Sequence, residues 1–157
     1  MATSPADITI FCFGNTARSD DALGEHMHAF LQSQLPDSNG VRLICDFQLE
    51  PEHIFDLQGA RAGIFIDAHE DASSDVQWSE VKAGSTLTIS SHHLPAESLL
   101  YLYEETFGAP APPCYLLTLA GASFELEEGL SETAQRNLRA AQDLILEKLA
   151  QLELAGT

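Results

Sequence analysis

Three short segments hold side chains whose types could do chemistry. The first is Gly14-Asn-Thr-Ala-Arg-Ser-Asp-Asp-Ala-Leu-Gly24, which carries Asn15 and the adjacent carboxylates Asp20 and Asp21. The second is Asp67-Ala-His69, and the third is Ser90-Ser-His-His, with His92 and His93 side by side. Two carboxylates and an imidazole are a hard-to-borderline donor set suited to a divalent transition ion. Three protein donors leave coordination positions open for a substrate or water, as a working site needs and a purely structural site does not. Each donor also has a plainer reading. Asp20 is placed to cap a following helix and complement its dipole, although a single cap needs no second acid beside it. A carboxylate ending a buried strand, as Asp67 would, is costly unless loop N–H groups, a partner or a metal hold it. The Gly14–Gly24 loop fails as a phosphate cradle, because it presents Asp20 and Asp21 where the phosphate would lie. His26 and His28 read as surface residues of the next helix, and His53 and His69 as outlying partners of the donor set. No Gly-x-Ser-x-Gly, His-Glu-x-x-His or paired Cys/His motif is present.

The elements that must position these donors can be read from hydrophobic period. Ile8-Thr-Ile-Phe-Cys-Phe13 is a near-continuous apolar run, expected of a strand buried on both faces. Leu23, Met27, Phe30 and Leu31 fall on one face of a helix that ends near Leu35-Pro36. Strands are expected at Val41–Cys45, at Ala62–Ile66 ending on Asp67, at Thr86–Ile89 and at Tyr115–Leu119. A short helix is expected from Pro51 to Leu57, with proline in its first turn. Leu99, Tyr103 and Phe107 space out another, begun near Pro95. Ser131 would cap a last helix striped by Leu138, Ala141, Ile145, Leu149 and Leu152. Strands alternating with helices predict a three-layer α/β/α sandwich around a five-stranded, mostly parallel, twisted sheet. Ligands in such sheets bind outside the carboxyl ends of the strands, where all three segments fall.

Composition bounds the partners. The chain has 157 residues, with 7 Lys+Arg against 24 Asp+Glu and a formal charge of −17. That length suits one domain spanning 1–157, with chain enough to bury a core. The charge argues against nucleic acid, which needs a basic stripe, and against an anionic membrane. No apolar run approaches the ~20 residues of a membrane span. The start, MATSPADITI, has no basic region followed by an apolar one, so no signal peptide is expected. Three scattered cysteines in apolar runs (Cys12, Cys45 and Cys114) read as reduced, buried thiols of a cytoplasmic protein. A monomer is expected.

The order of the motifs is itself informative. Phe13-Gly-Asn-x4-Asp20-Asp21-x-x-Gly24, then Ile64-Phe-Ile-Asp67-Ala68, then Ser91-His92 ahead of a helix, resembles the endopeptidases that mature [NiFe] hydrogenases. The resemblance covers nearly the whole chain. It extends to Gly121-Ala-Ser-Phe-Glu-Leu-Glu-Glu-Gly-Leu-Ser131, which looks like the family's entry to its last helix. Phe47-Gln-Leu-Glu-Pro-Glu52 looks more like the maturases of soluble NAD-linked hydrogenases. The chain departs from the family pattern in three places. Cys12 stands where the family has its first glycine, Ala22 follows the acidic pair in place of glycine, and Asp21 stands where many members have glutamate.

The resemblance implies a protease that removes a short C-terminal peptide from the hydrogenase large-subunit precursor once nickel is in place. The cut falls behind a His or Arg near the last metal-ligating cysteine. By motif position the metal-binding and catalytic roles fall to Asp21, Asp67 and His92. Asp20, Asn15 and His93 stand around them, and His93 is the alternative to His92. Nickel would arrive in the substrate's immature centre, not as a resident cofactor. Either a metal-activated water or an Asp acting as general base would then serve hydrolysis. Two other classes fit the same residues: a metallo-hydrolase on small substrates, and a non-catalytic chaperone of the precursor.

Overall fold

The structure, a computed structural model, describes residues 7–13, 23–35, 40–69, 76–86, 94–120 and 132–155. The chain runs β1 (Ile8–Phe13), α1 (Leu23–Gln34), β2 (Val41–Asp46), a 3₁₀ turn (Pro51–His53) leading into α2 (Ile54–Leu57), and β3 (Ala62–His69). It continues through β4 (Val76–Val81), α3 (Ala96–Phe107), β5 (Cys114–Ala120) and α4 (Glu132–Ala155). The five strands form one sheet in the order β2-β1-β3-β5-β4. β2, β1, β3 and β5 are mutually parallel, and only β4 runs antiparallel, beside β5.

Helices cover both faces of the sheet, giving the expected three layers. On one face Ile8, Ile10 and Cys12 of β1, with Ile64 and Ile66 of β3, meet Leu23, Met27 and Leu31 of α1 and Ala141, Ile145 and Leu149 of α4. On the other face Phe11, Phe13 and Phe65 meet Ile54 and Leu57 of α2 and Leu99, Leu100 and Tyr103 of α3. The rings of Phe11 and Phe65 stack across β1 and β3 at 5.0 Å between centroids. All six residues of β1 are buried, as an unbroken apolar run between two helical layers requires. Side-chain to backbone hydrogen bonds help fasten α4. Asn137 Nδ2, itself buried, donates to the Ala120 carbonyl at the end of β5 at 2.7 Å. Arg61 Nη1 donates to the Leu152 carbonyl in the helix's last turn, also at 2.7 Å.

Three expectations are corrected. The fifth strand of the described sheet is Val76–Val81, a segment the hydrophobic pattern did not single out. Thr86 lies in a bend, and the rest of the strand expected at 86–89 lies outside the described residues. β4 is an edge strand in which exposed Gln77, Ser79 and Glu80 interrupt the apolar residues, with Val76 and Trp78 packing on one core cluster and Val81 on the other, so its sequence forms no apolar run. Trp78 stacks on Tyr115 of β5 at 5.1 Å, with the Lys148 ammonium 5.5 Å from its ring centre. β3 does not stop at Asp67, since backbone pairing to β5 carries it through Ala68 and His69. Cys45 is exposed, whereas Cys12 and Cys114 are buried, and all three thiols are free. The Ser131 cap lies outside the described residues. Pro95 stands at the N-terminus of α3 as expected, and Gly108 closes that helix at φ 62°, the left-handed conformation glycine adopts freely.

Candidate functional site

The strand order decides where a site can form. From β1 the chain passes through α1 to β2 on one side, then returns past β1 to β3 on the other. The direction of winding reverses there, which opens a crevice at the carboxyl ends of β1 and β3. Asp67 sits at that crevice. It is half-buried, it follows the Cys12–Ile66 pair that ends the β1–β3 register, and it stands opposite Thr118 of β5. Strand alternation puts it on the same sheet face as Phe65, the face covered by α2 and α3.

Asn15, Asp20, Asp21, His92 and His93 lie outside the described residues. The structure does place the chain that flanks them. Phe13 and Leu23, the described residues on either side of 14–22, are both buried. Gly24 lies so close to the end of β1 that an added Cβ would sit 1.9 Å from the Phe13 carbonyl oxygen. The described residues that flank the acidic segment therefore lie against each other, at the end of β1 and next to β3. Leu94, the residue after His93, is buried at 5 % exposure in the cluster that contains Phe13 and Phe65. Ala120, ahead of the 121–131 segment, is buried at the end of β5. Among the described residues, no group of three or more His, Cys, Asp or Glu side chains is arranged to hold a metal ion.

The remaining histidines separate by environment. His53 is buried with its ring edge-on to Phe11 at 5.4 Å and Phe13 at 6.2 Å. Its Nδ1 accepts a 2.7 Å hydrogen bond from the Glu50 N–H, and its Nε2 lies 3.5 Å from Asp46 Oδ2. The other oxygen of that carboxylate accepts from the Phe47 N–H at 2.9 Å. His53 is thus the brace of the turn after β2, a role that the Pro51 helix signal did not reveal. Held by that turn, Phe47 stands 68 % exposed at the carboxyl end of β2. His26 is exposed on α1, as expected, while His28 is half-buried, and burial holds its imidazole below the usual range. His69 ends β3 opposite Ala120, with its side chain outside the described residues.

The buried cysteines Cys12 and Cys114 offer no nucleophile for this site. Burial pushes the Cys12 thiol far above its usual range and raises Cys114 to about 12. A thiol held protonated is inert toward a peptide carbonyl.

Comparison with solved structures places this architecture. The hydrogenase-maturating endopeptidase HybD from E. coli superposes with a TM-score of 0.74 at 21% identity, covering 92% of each chain. The [NiFe] hydrogenase maturation protease HycI from Thermococcus kodakarensis KOD1 gives 0.68 at 22% identity, covering 90% of this chain and 91% of that one. The hydrogenase 2 maturation peptidase from Thaumarchaeota archaeon SCGC_AB-539-E09 gives 0.64 at 23% identity, over 91% and 97%. The chain therefore has the fold of these proteins along nearly its whole length. No protein-family model and no curated protein sequence matches it. Among the described residues, no helix is long and apolar enough to cross a membrane.

Proposed function

We propose that the chain is a [NiFe]-hydrogenase maturation endopeptidase, which removes the C-terminal peptide of a large-subunit precursor after nickel insertion. The observation that carries this reading is the position of Asp67. The motif carboxylate stands at the winding reversal of a sheet whose fold is shared with maturation proteases over nine-tenths of the chain. The contact of Gly24 with Phe13 and the burial of Leu94 support it, because these described residues flank the other two motif segments.

In this reading Asp21, Asp67 and His92 complete the coordination of nickel carried by the substrate. Their hold on the centre positions the neighbouring scissile bond, converting an encounter into an oriented complex. Carboxylates suit the task, since they are acceptors only and need lose no proton to bind a cation at neutral pH. Cleavage then follows nickel, so that peptide removal reports a filled centre. The enzyme works as a cytoplasmic monomer with the precursor as its protein partner.

The test is incubation with precursor loaded with nickel and with the same precursor lacking it, read by gel mobility. Processing of the loaded form alone is expected. Equal cleavage of both would remove nickel recognition from the reading. Stable binding of loaded precursor without any cleavage would remove the protease and leave a chaperone.

A further inference from the structure

Cys12 and Cys45 are partners in the parallel register of β1 and β2. Both belong to the α1 face of the sheet. Cys12 lies in the cluster with Ile8 and Ile10, and Val41 and Leu43, which alternate in phase with Cys45, pack on that same cluster. Neighbouring strands run about 4.8 Å apart. That spacing falls within the roughly 4.4–6.8 Å between Cα atoms that a disulfide spans. Same face and same register together bring the two thiols to bonding range without moving the backbone far. Their access differs, because Cys12 is fully buried and Cys45 is exposed on an edge strand.

We propose that Cys12 and Cys45 form a reversible disulfide that fastens edge strand β2 to β1, one residue before Phe13. This site is independent of the proteolytic reading. The co-reactant is a small disulfide such as oxidised glutathione. Cys45, the accessible thiol, loses its proton and attacks one sulfur of that disulfide. A mixed disulfide forms, and the released thiolate takes up a proton. Cys12 then loses its proton and attacks Cys45 Sγ, closing the intrachain bond and expelling the second small thiol. Two protein thiols are oxidised by two electrons, and one small disulfide is reduced to two thiols. The exchange is slow at neutral pH. Partial burial, then the nearby carboxylates of Glu25 on α1 and Asp46, hold Cys45 above its usual range. Once formed, the bond constrains the unfolded chain across α1 and the edge strand, so the oxidised protein resists unfolding better.

The full chain is incubated with oxidised glutathione at neutral pH and again at about pH 9, where more thiolate is present. Thiols are then counted after unfolding, and the linkage is mapped by mass spectrometry without reduction. Of the three free thiols, one should remain, that of Cys114. The expected product is a Cys12–Cys45 linked peptide in a chain about 2 Da lighter, with a raised Tm that dithiothreitol reverses. Cys114→Ser should leave the bond intact, and Cys45→Ser should abolish it. A persistent glutathione adduct on Cys45, a Cys45–Cys45 linked dimer, or three unchanged thiols at both pH values would each overturn the proposal.

Discussion

Asp67 stands one residue past the last pair of the β1–β3 register, half-buried, next to the end of β1 where Gly24 meets the Phe13 carbonyl. Replacing it with asparagine keeps its shape and removes its charge, which separates chemistry from folding. Asp67→Asn should leave the Tm within a few degrees and lower precursor processing by about 100-fold or more, the upper scale for disturbing a metal site. His92→Ala should do the same, while His93→Ala retains most activity. The reverse outcome for the two histidines would move the third donor by one position. The candidate donors were named from the sequence by residue type and by the motif order that carries the family resemblance. The role of His53 was not legible. Its ring nitrogen serves a backbone N–H three residues earlier, and its ring makes edge contacts with Phe11 and Phe13, some forty residues away along the chain.

At the scale of elements, α1 can start against the end of β1 because residue 24 has no side chain. Glycine this early in a helix lowers intrinsic stability relative to alanine by roughly 1 kcal/mol. Here it also lets the first turn of α1 lie against the Phe13 carbonyl. Gly24→Ala should therefore destabilise the protein by about 1–3 kcal/mol, the usual cost of overpacking. Urea unfolding measures this, and a gain in stability would show that the close approach relaxes freely. The buried elements were readable from local period, since β1 is apolar throughout and α1 and α4 carry clean stripes. β4 was not, because this edge strand shows only Val76 and Trp78 to one core cluster and Val81 to the other, with exposed polar residues between them. The length of β3 was misjudged for a related reason. Ala68 and His69 are held by pairing with Leu119 and Ala120, residues that sequence period cannot assign as partners.

At the scale of the whole molecule, the net charge of −17 is carried mostly by acids spread along the chain. Such an excess opposes compaction by self-repulsion, and salt screens it. Raising NaCl from about 10 mM to about 150 mM shortens the Debye length from roughly 30 Å to 8 Å. The Tm should rise by several degrees over that range, and a fall would show that the described ion pairs, such as Arg42–Asp56 at 3.4 Å, outweigh the repulsion. The charge by itself names no function; the placement of a few acids bears on it. From sequence alone came the order of helices and most strands, the two-sided burial of β1, and the identity of the candidate donors. Those follow from period and residue type, which act over a few neighbours. Tertiary structure alone decided the order β2-β1-β3-β5-β4, and with it the crevice beside Asp67. It likewise decided the contact of Gly24 with Phe13, the exposure of Cys45 and its pairing with Cys12. Each depends on which distant segments become neighbours, and that is settled by how two helical layers close over one twisted sheet.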